Sequence, residues 1–188
     1  MRIVAGELKG RVIKGVKGNS TRPTSDKIKE NIFNIIGPYF EGGTVLDLYG
    51  GSGNLAMESL SRGMDQAILV DRENAAVQTI RQNIQDLGLG ERTEVYRNDA
   101  FKALKALAKR EIVFDLVFLD PPYKGQKIND ILAFLEEFGL LAEGGIVMAE
   151  CLKEDPLLEA CGSIVQFKRE IYGITAVTFY RKEAGNHE

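Results

Sequence analysis

The tetrapeptide Asp120-Pro121-Pro122-Tyr123 combines an acid, two prolines and an aromatic ring, a pattern suited to chemistry on a planar aromatic amine. The lone pair of such an amine is delocalised into its ring, so the nitrogen is a poor nucleophile. The Asp120 carboxylate and the Pro121 carbonyl would accept both N–H hydrogens and draw the lone pair out of conjugation. Pro121 and Pro122 add no competing donor, and Tyr123 offers a flat face for stacking a base. Taken alone, the tetrapeptide also fits a proline-rich turn.

A glycine-rich loop at residues 50–53 is a second candidate site, because glycines let the backbone turn tightly and let a ligand approach closely. Residues 51–56 fit the G-x-G-x-x-A fingerprint of nucleotide-binding loops. Asp71 follows at a predicted strand end, where a carboxylate accepts two ribose hydroxyls. This pattern alone fits a nicotinamide site equally well. The predicted cofactor-binding residues of the loop are Gly50, Gly51 and Gly53.

Acidic residues at four predicted strand ends favour S-adenosylmethionine as the cofactor. Asp47 precedes the glycine-rich loop, where it would repel a pyrophosphate but attract a ligand carrying an ammonium and a sulfonium. Asp99, followed by Ala100, closes the third strand, where an acid accepts from the exocyclic amine of adenine. Together with Asp71 and Asp120, these acids would lie at one edge of the sheet. Each acid taken singly also fits a helix N-cap or a solvated strand end.

Strand and helix patterns alternate from residue 44 onward, and they would position these groups. The apolar run 113–119, rich in Val, Phe and Leu, is typical of a buried parallel strand ending at the tetrapeptide. After a predicted helix around residues 157–158, segments 164–171 and 174–180 indicate a closing hairpin, which requires an antiparallel partner. We therefore predict an α/β fold with a doubly wound, mostly parallel sheet and one antiparallel strand late in the chain.

The start of the chain is strongly basic. Residues 1–30 contain eight Lys or Arg and three Asp or Glu, although the whole chain has a net charge of −3. Such asymmetry indicates a segment that binds a polyanion, and a solvated basic hairpin without a partner is the alternative. We define residues 1–20 as the basic segment, a predicted β-hairpin ahead of the α/β domain at 21–188. The predicted RNA-binding residues are Arg2, Lys9, Arg11, Lys14 and Arg22.

Composition excludes several classes of function. The two cysteines, Cys151 and Cys161, form no ligand pattern, and the only histidine, His187, lies in the polar tail. We therefore expect no metal site and no histidine-based catalysis. No apolar stretch is long enough for a membrane span, and no signal sequence follows Met1. The expectation is a cytoplasmic protein that acts as a monomer.

The order of these motifs resembles the class I S-adenosylmethionine-dependent methyltransferases that act on amino groups. Further matches lie in residues 1–6 (MRIVAG), 9–11 (KGR), 22–24 (RPT) and 58–63 (ESLSRG). With them, nearly the whole chain is similar to the bacterial 16S ribosomal RNA guanine-N2 methyltransferase family. It departs from that family at Tyr49-Gly50, where an aromatic residue and Ala are usual, and at Asn54, where a small residue is usual.

The resemblance implies transfer of a methyl group from S-adenosylmethionine to the exocyclic N2 amine of a guanine in small-subunit ribosomal RNA. The residues by themselves imply only an aromatic or amide nitrogen. Two alternatives remain at this stage. A DNA adenine-N6 methyltransferase uses the same chemistry but usually needs a target-recognition insert, and a non-enzymatic RNA-binding protein would not need an intact Asp120. Naked RNA and an assembling small subunit are both left open as substrates, as is the proton acceptor.

Overall fold

The computed structural model describes residues 1–18 and 24–185, which form two compact units, Met1–Ala100 and Phe101–Glu188. In the first unit, the three strands lie in the order β3-β2-β1, and both pairs are parallel. The elements are α1 (Asp26–Ile36), β1 (Thr44–Asp47), α2 (Asn54–Ser61), β2 (Gln66–Asp71), α3 (Asn74–Leu87), a 3-10 turn (Gly90–Arg92) and β3 (Thr93–Arg97). The helices α2 and α3, which follow β1 and β2, return the chain to the end of the sheet where each strand begins. The next strand therefore runs in the same direction.

The second unit carries the strand that leads into the tetrapeptide. Its five strands lie in the order β4-β5-β8-β7-β6, with β4 and β5 parallel and the remaining pairs antiparallel. The elements are α4 (Ala100–Lys109), β4 (Phe114–Leu119), α5 (Ile128–Glu137), β5 (Leu141–Leu152), β6 (Ala160–Cys161), β7 (Ile164–Tyr172) and β8 (Thr175–Lys182). The predicted α/β class, with parallel strand pairs and a late antiparallel region, is confirmed.

Two details of the second unit differ from the sequence prediction. The helix predicted around residues 157–158 is absent from the described chain, and a turn followed by the two-residue strand β6 takes its place. The turn covers residues 153–155, and the Asn129 side chain then holds the chain extended by donating to the Pro156 carbonyl at 3.0 Å and accepting the Leu158 N–H at 2.9 Å. The strands β8 and β6 both run opposite to β4 and β5. The second unit thus has two such strands, where one antiparallel strand was predicted.

Residues 1–18 of the basic segment pack closely against the rest of the first unit. They form a tight turn with a single antiparallel bridge, Arg2 to Val12, in place of two full strands. Ile3 and Ile13 are buried. A side chain at Gly6 would overlap the carbonyl of Ser61, so the segment lies directly on α2. The predicted boundary between residues 20 and 21, together with Arg22 and His187, lies outside the described residues.

Candidate active site

The first three predicted acids lie at the carboxyl ends of parallel strands in the first unit. Asp47 ends β1, Asp71 ends β2, and Asp99 follows β3. Parallel strands present their carboxyl ends at the same edge, which is where open α/β sheets bind ligands. Asp71 reaches the glycine-rich loop directly, because its Oδ2 accepts the Gly51 N–H at 2.9 Å. Its Oδ1 accepts the Glu73 N–H at 2.9 Å.

The three loop glycines serve different purposes. Gly51 has a φ of +59°, and a Cβ added there would meet nothing within 4 Å, so its backbone borders open space. A Cβ on Gly50 would lie 2.8 Å from Cδ1 of Ile80, and one on Gly53 would lie 2.6 Å from Cε of Met57. Gly53 is therefore favoured by its left-handed backbone before α2, Gly50 packs against the end of the Ile80 side chain, and Gly51 is positioned for close approach of a ligand.

Asp47 is nearly fully buried, with 2% of its surface exposed. Burial raises the pKa of Asp47 to about 7, the charge of Asp71 adds to the effect, and the Tyr49 N–H opposes it. That N–H donates to Oδ1 of Asp47 at 3.3 Å. A cationic ligand would strongly stabilise the ionised form of a buried carboxyl with this pKa, because opposite charges attract.

Asp99 is exposed, and the following residue, Ala100, is buried at the start of α4. The backbone N–H of Asp99 donates to Oδ1 of Asn98 at 2.9 Å. The charge of Asp99 reaches Tyr49, since burial first and Asp99 second raise the pKa of that phenol. Asp99 therefore lies near Tyr49, the residue that precedes the glycine-rich loop.

The residues around the loop fit the predicted cofactor. Each Asp71 oxygen accepts one backbone N–H, and a carboxylate oxygen has capacity for a second donor such as a ribose hydroxyl. The buried Asp47 suits an ammonium, and the open face of Gly51 leaves room for a ligand.

Within residues 1–18 and 24–185, no three His, Cys, Asp or Glu side chains group as metal ligands do. None of the helices in the same ranges has the length and apolar character of a transmembrane helix.

The tetrapeptide begins directly after β4 in the second unit. Asp120 is half-buried and Pro121 is buried, whereas Pro122 is exposed and Tyr123 exposes 42% of its surface. Burial raises the pKa of the Tyr123 phenol, and the charges of Glu150 and Asp120 raise it further. The ring thus lies beside two carboxyl groups and remains accessible for stacking.

Glu150 is a residue of this region that sequence reasoning missed. The register of β4 and β5 pairs Leu119 with Ala149, which places Glu150 beside Asp120 one position further on. Its carboxyl hydrogen-bonds Asp120 and Thr175, and burial raises its pKa. The available signal was an acid inside the otherwise apolar stretch 146–151 (IVMAEC).

A buried charge cluster also escaped sequence analysis. Glu58 is fully buried, and its carboxylate pairs with Lys29 Nζ at 3.0 Å and Arg62 Nε at 2.8 Å. The same carboxylate accepts the N–H groups of Val4 at 2.8 Å and Ala5 at 3.1 Å. Glu58 therefore anchors the basic segment to α2. Sequence periodicity assigns such charged residues to the surface, so nothing in the pattern marked them.

Two buried side chains connect the basic segment to the glycine-rich loop and its helix. Lys29 Nζ donates to the Arg2 carbonyl at 2.6 Å and to Oδ1 of Asn54, the first residue of α2, at 2.9 Å. The Asn83 amide donates to the carbonyls of Lys14 and Ser52, both at 2.9 Å. The departure at Asn54 thus has a structural role, because its side chain accepts from a buried ammonium.

The described members of the predicted RNA-binding set are all exposed. Arg11 Nη2 donates to the Asp86 carbonyl at 2.7 Å, and Lys14 Nζ lies 3.2 Å from Asp86 Oδ2. Arg2 Nη1 donates to the Gly10 carbonyl at 3.1 Å. These interactions are at the surface, where such bonds are weak and exchange readily with other partners. The basic side chains Arg2, Lys9, Arg11 and Lys14 are thus exposed and lie within one short stretch of the chain, residues 2–14.

Comparison with known proteins assigns the chain to a family. A model described as conserved hypothetical protein 95 matches residues 1–181. "Putative rRNA methyltransferase YlbH" of Bacillus subtilis is 50% identical over 182 residues, which cover 97% of this chain and 99% of that protein. "Ribosomal RNA small subunit methyltransferase D" of Escherichia coli is 29% identical over 184 residues, covering 98% and 91%. A solved structure described as "Putative methyltransferase yhhF from Escherichia coli" matches with a TM-score of 0.85 at 29% identity, covering 98% of this chain and 99% of that one. The chain therefore belongs to the conserved hypothetical protein 95 family, the family of ribosomal RNA small subunit methyltransferase D.

Proposed function

We propose that this protein transfers a methyl group from S-adenosylmethionine to the exocyclic N2 amine of a guanine in 16S ribosomal RNA. The observation that carries the proposal is the tetrapeptide after β4, where a half-buried Asp120 lies beside the exposed ring of Tyr123. The names of the relatives from B. subtilis and E. coli support ribosomal RNA as the substrate. The protein acts in the cytoplasm as a monomer, on free RNA or on an assembling small subunit.

The first unit holds the cofactor. When bound, S-adenosylmethionine supplies a methyl group on a positively charged sulfur. Asp47 pairs with the ammonium of this ligand, and Asp71 accepts hydrogen bonds from its ribose. Asp99 accepts from the exocyclic amine of adenine, with Ala100 next to it. The open backbone at Gly51 lets the ligand lie against the loop.

The second unit holds the target base. The base leaves its stack or is already unpaired, and Tyr123 stacks against it. Asp120 and the Pro121 carbonyl accept the two N–H hydrogens of the amine and free the nitrogen lone pair for in-line attack on the methyl carbon. Most of the acceleration comes from positioning and from the negative charge of Asp120. The basic segment binds phosphates, which gives affinity but no base identity.

Mapping of modified nucleotides tests the proposal. Small-subunit RNA from cells lacking this protein should lose methylation at one guanine N2, and the purified protein should restore it with S-adenosylmethionine. Unchanged ribosomal RNA would contradict the proposed substrate. Methylation of adenine N6 in DNA would support the DNA methyltransferase alternative, and absence of any transfer despite RNA binding would support the non-enzymatic one.

Cofactor affinity should depend on pH through Asp47. Below its pKa of about 7, Asp47 is protonated and neutral in the free protein, so it must lose a proton before it pairs with an ammonium. Affinity for S-adenosylhomocysteine should therefore rise with pH, by up to about tenfold per pH unit, and level off above about 7. Calorimetry on wild type and Asp47→Asn measures this. The variant should bind weakly with little pH dependence, and a flat wild-type profile would contradict the pairing.

Replacing Lys9, Arg11 and Lys14 with Ala should weaken RNA binding and flatten its salt dependence. For every phosphate that the variant no longer neutralises, the slope of log affinity against log salt should fall by about 0.7 to 0.9. The matched control, with Lys105, Lys109 and Arg110 of the second unit changed to Ala, removes the same charge from an exposed surface. Equal slopes for the two triple variants in a salt titration would show that the basic segment has no special part in RNA binding.

A further inference from the structure

The hydrogen bond between Glu150 and Asp120 joins two carboxyl groups. A carboxylate is only an acceptor, so two ionised carboxylates have no hydrogen to share and repel each other. The bond therefore requires one proton on the pair. The strands hold the two groups together, since β4 and β5 are parallel with Leu119 beside Ala149 and Val117 beside Val147.

Glu150 is also anchored from the other side. Its neighbour β8 runs antiparallel, and Thr175 of that strand hydrogen-bonds the Glu150 carboxyl. The Thr175 hydroxyl also lies 3.0 Å from the Tyr172 carbonyl, and its single hydrogen serves one of these two acceptors at a time. The result is a short network running from the β7–β8 turn through Glu150 to Asp120, in which each group is oriented by the next.

The charged and titratable groups around the pair are mainly acidic. After burial, the charges of Glu150 and Asp120 both raise the pKa of Tyr123, which follows β4. Burial raises the pKa of Cys151, the next residue in β5. The charges of Asp155 and Glu150 raise this pKa further, and the charge of Arg169 in β7 lowers it. Burial raises the pKa of Glu150, and the hydrogen bonds from Asp120 and Thr175 act in the opposite sense. In these surroundings a second negative charge on the pair is unfavourable, which favours the singly charged, proton-sharing state.

We infer that Glu150 is a positioning residue for Asp120, which it holds as a singly charged, oriented acceptor by sharing one proton with it. This inference rests on the proposed function and deepens it. During transfer the amine nitrogen bonds the methyl carbon while the carbon–sulfur bond breaks and its electron pair remains on sulfur. The nitrogen then releases one proton to the Asp120–Glu150 pair, which passes it to water. The acceptor that sequence analysis left open is thus the pair.

Infrared spectroscopy of the whole protein tests the shared proton without any substrate. Near neutral pH, wild type should show a protonated carboxyl band that is lost in both Glu150→Gln and Asp120→Asn. The control Glu143→Gln changes an exposed acid in the same strand and should leave the band intact. A protonated Asp47 contributes its own band, which should remain in all three variants. A pair-specific band that survives Glu150→Gln would overturn the inference.

Single-turnover kinetics tests the positioning. Glu150→Ala should slow methyl transfer by about tenfold or more, by analogy with residues that orient metal ligands through hydrogen bonds, with unchanged affinity for S-adenosylhomocysteine. Glu150→Gln keeps a donor toward Asp120 and should restore most of the rate. Wild-type rate in Glu150→Ala, or equal losses in the Ala and Gln variants, would overturn the positioning role. If wild type methylates no RNA, the proposed function fails, and the infrared result still decides whether the proton is shared.

Discussion

Asp120→Ala should slow single-turnover methyl transfer by about a hundredfold or more, the usual loss when a preorganised electrostatic partner of a transition state is removed. The substitution removes an acceptor for the target amine and a negative charge that matters most as positive charge develops on the nitrogen. The loss should appear in the rate of transfer, with affinity for S-adenosylhomocysteine unchanged, because only interactions stronger in the transition state accelerate the reaction.

Three further variants separate this role from a structural one. Asp115→Ala removes an exposed acid from β4 and should leave the rate near that of wild type. Tyr123→Ala should weaken productive RNA binding as well as the rate, because stacking holds the base before and during transfer. Tyr123→Phe keeps the ring and should be mild. If Asp120→Ala transferred methyl groups as fast as Asp115→Ala, residues 120–123 would be a turn and not an active site.

Glu58→Ala should lower the free energy of unfolding by about 3–5 kcal/mol, the range expected when one partner of a buried ion pair is removed. It would leave the fully buried Lys29 without its carboxylate and the N–H groups of Val4 and Ala5 without their acceptor. Urea denaturation measures the change. Glu73→Ala is the control, because Glu73 is exposed and its nearest cation, Arg72, is 3.9 Å away. Similar losses for the two variants would contradict a stabilising cluster.

Lowering the pH should reduce the free energy of unfolding of the wild-type protein, as Glu58→Ala does but to a smaller extent. Burial tends to raise the pKa of Glu58, but the N–H of Val4, then Arg62 and Lys29, outweigh it, and the net pKa is lowered. A group with a lowered folded-state pKa stabilises the fold above its unfolded pKa and loses that contribution as pH falls. Stability should therefore decline as pH falls below about 4.3, the ordinary glutamate value. Glu58→Gln should show a shallower decline over the same window.

Much of the fold and the site was predictable because the responsible patterns are local. Alternating strand and helix signals from residue 44 predicted the α/β class, and apolar runs marked the strands whose ends carry Asp47, Asp71 and Asp120. Where local signals were weak, prediction failed. Two adjacent leucines at 157–158 suggested a helix, but the chain forms a turn at residues 153–155 and then pairs β6 with β7.

Three features depend on tertiary structure alone. Glu150 joins Asp120 only through the register of β4 with β5, and register depends on packing between strands far apart in the chain. Lys29 and Glu58 are charged residues that periodicity places at the surface, yet they are buried, and their mutual ion pair offsets the cost of removing them from water. Asn83 bonds both Lys14 and Ser52 from a distant helix.

The sequence by itself determined the chemical groups of the candidate site and the strands that carry them. The tertiary structure decided which buried partners hold those groups, because pairing between distant residues has no local pattern.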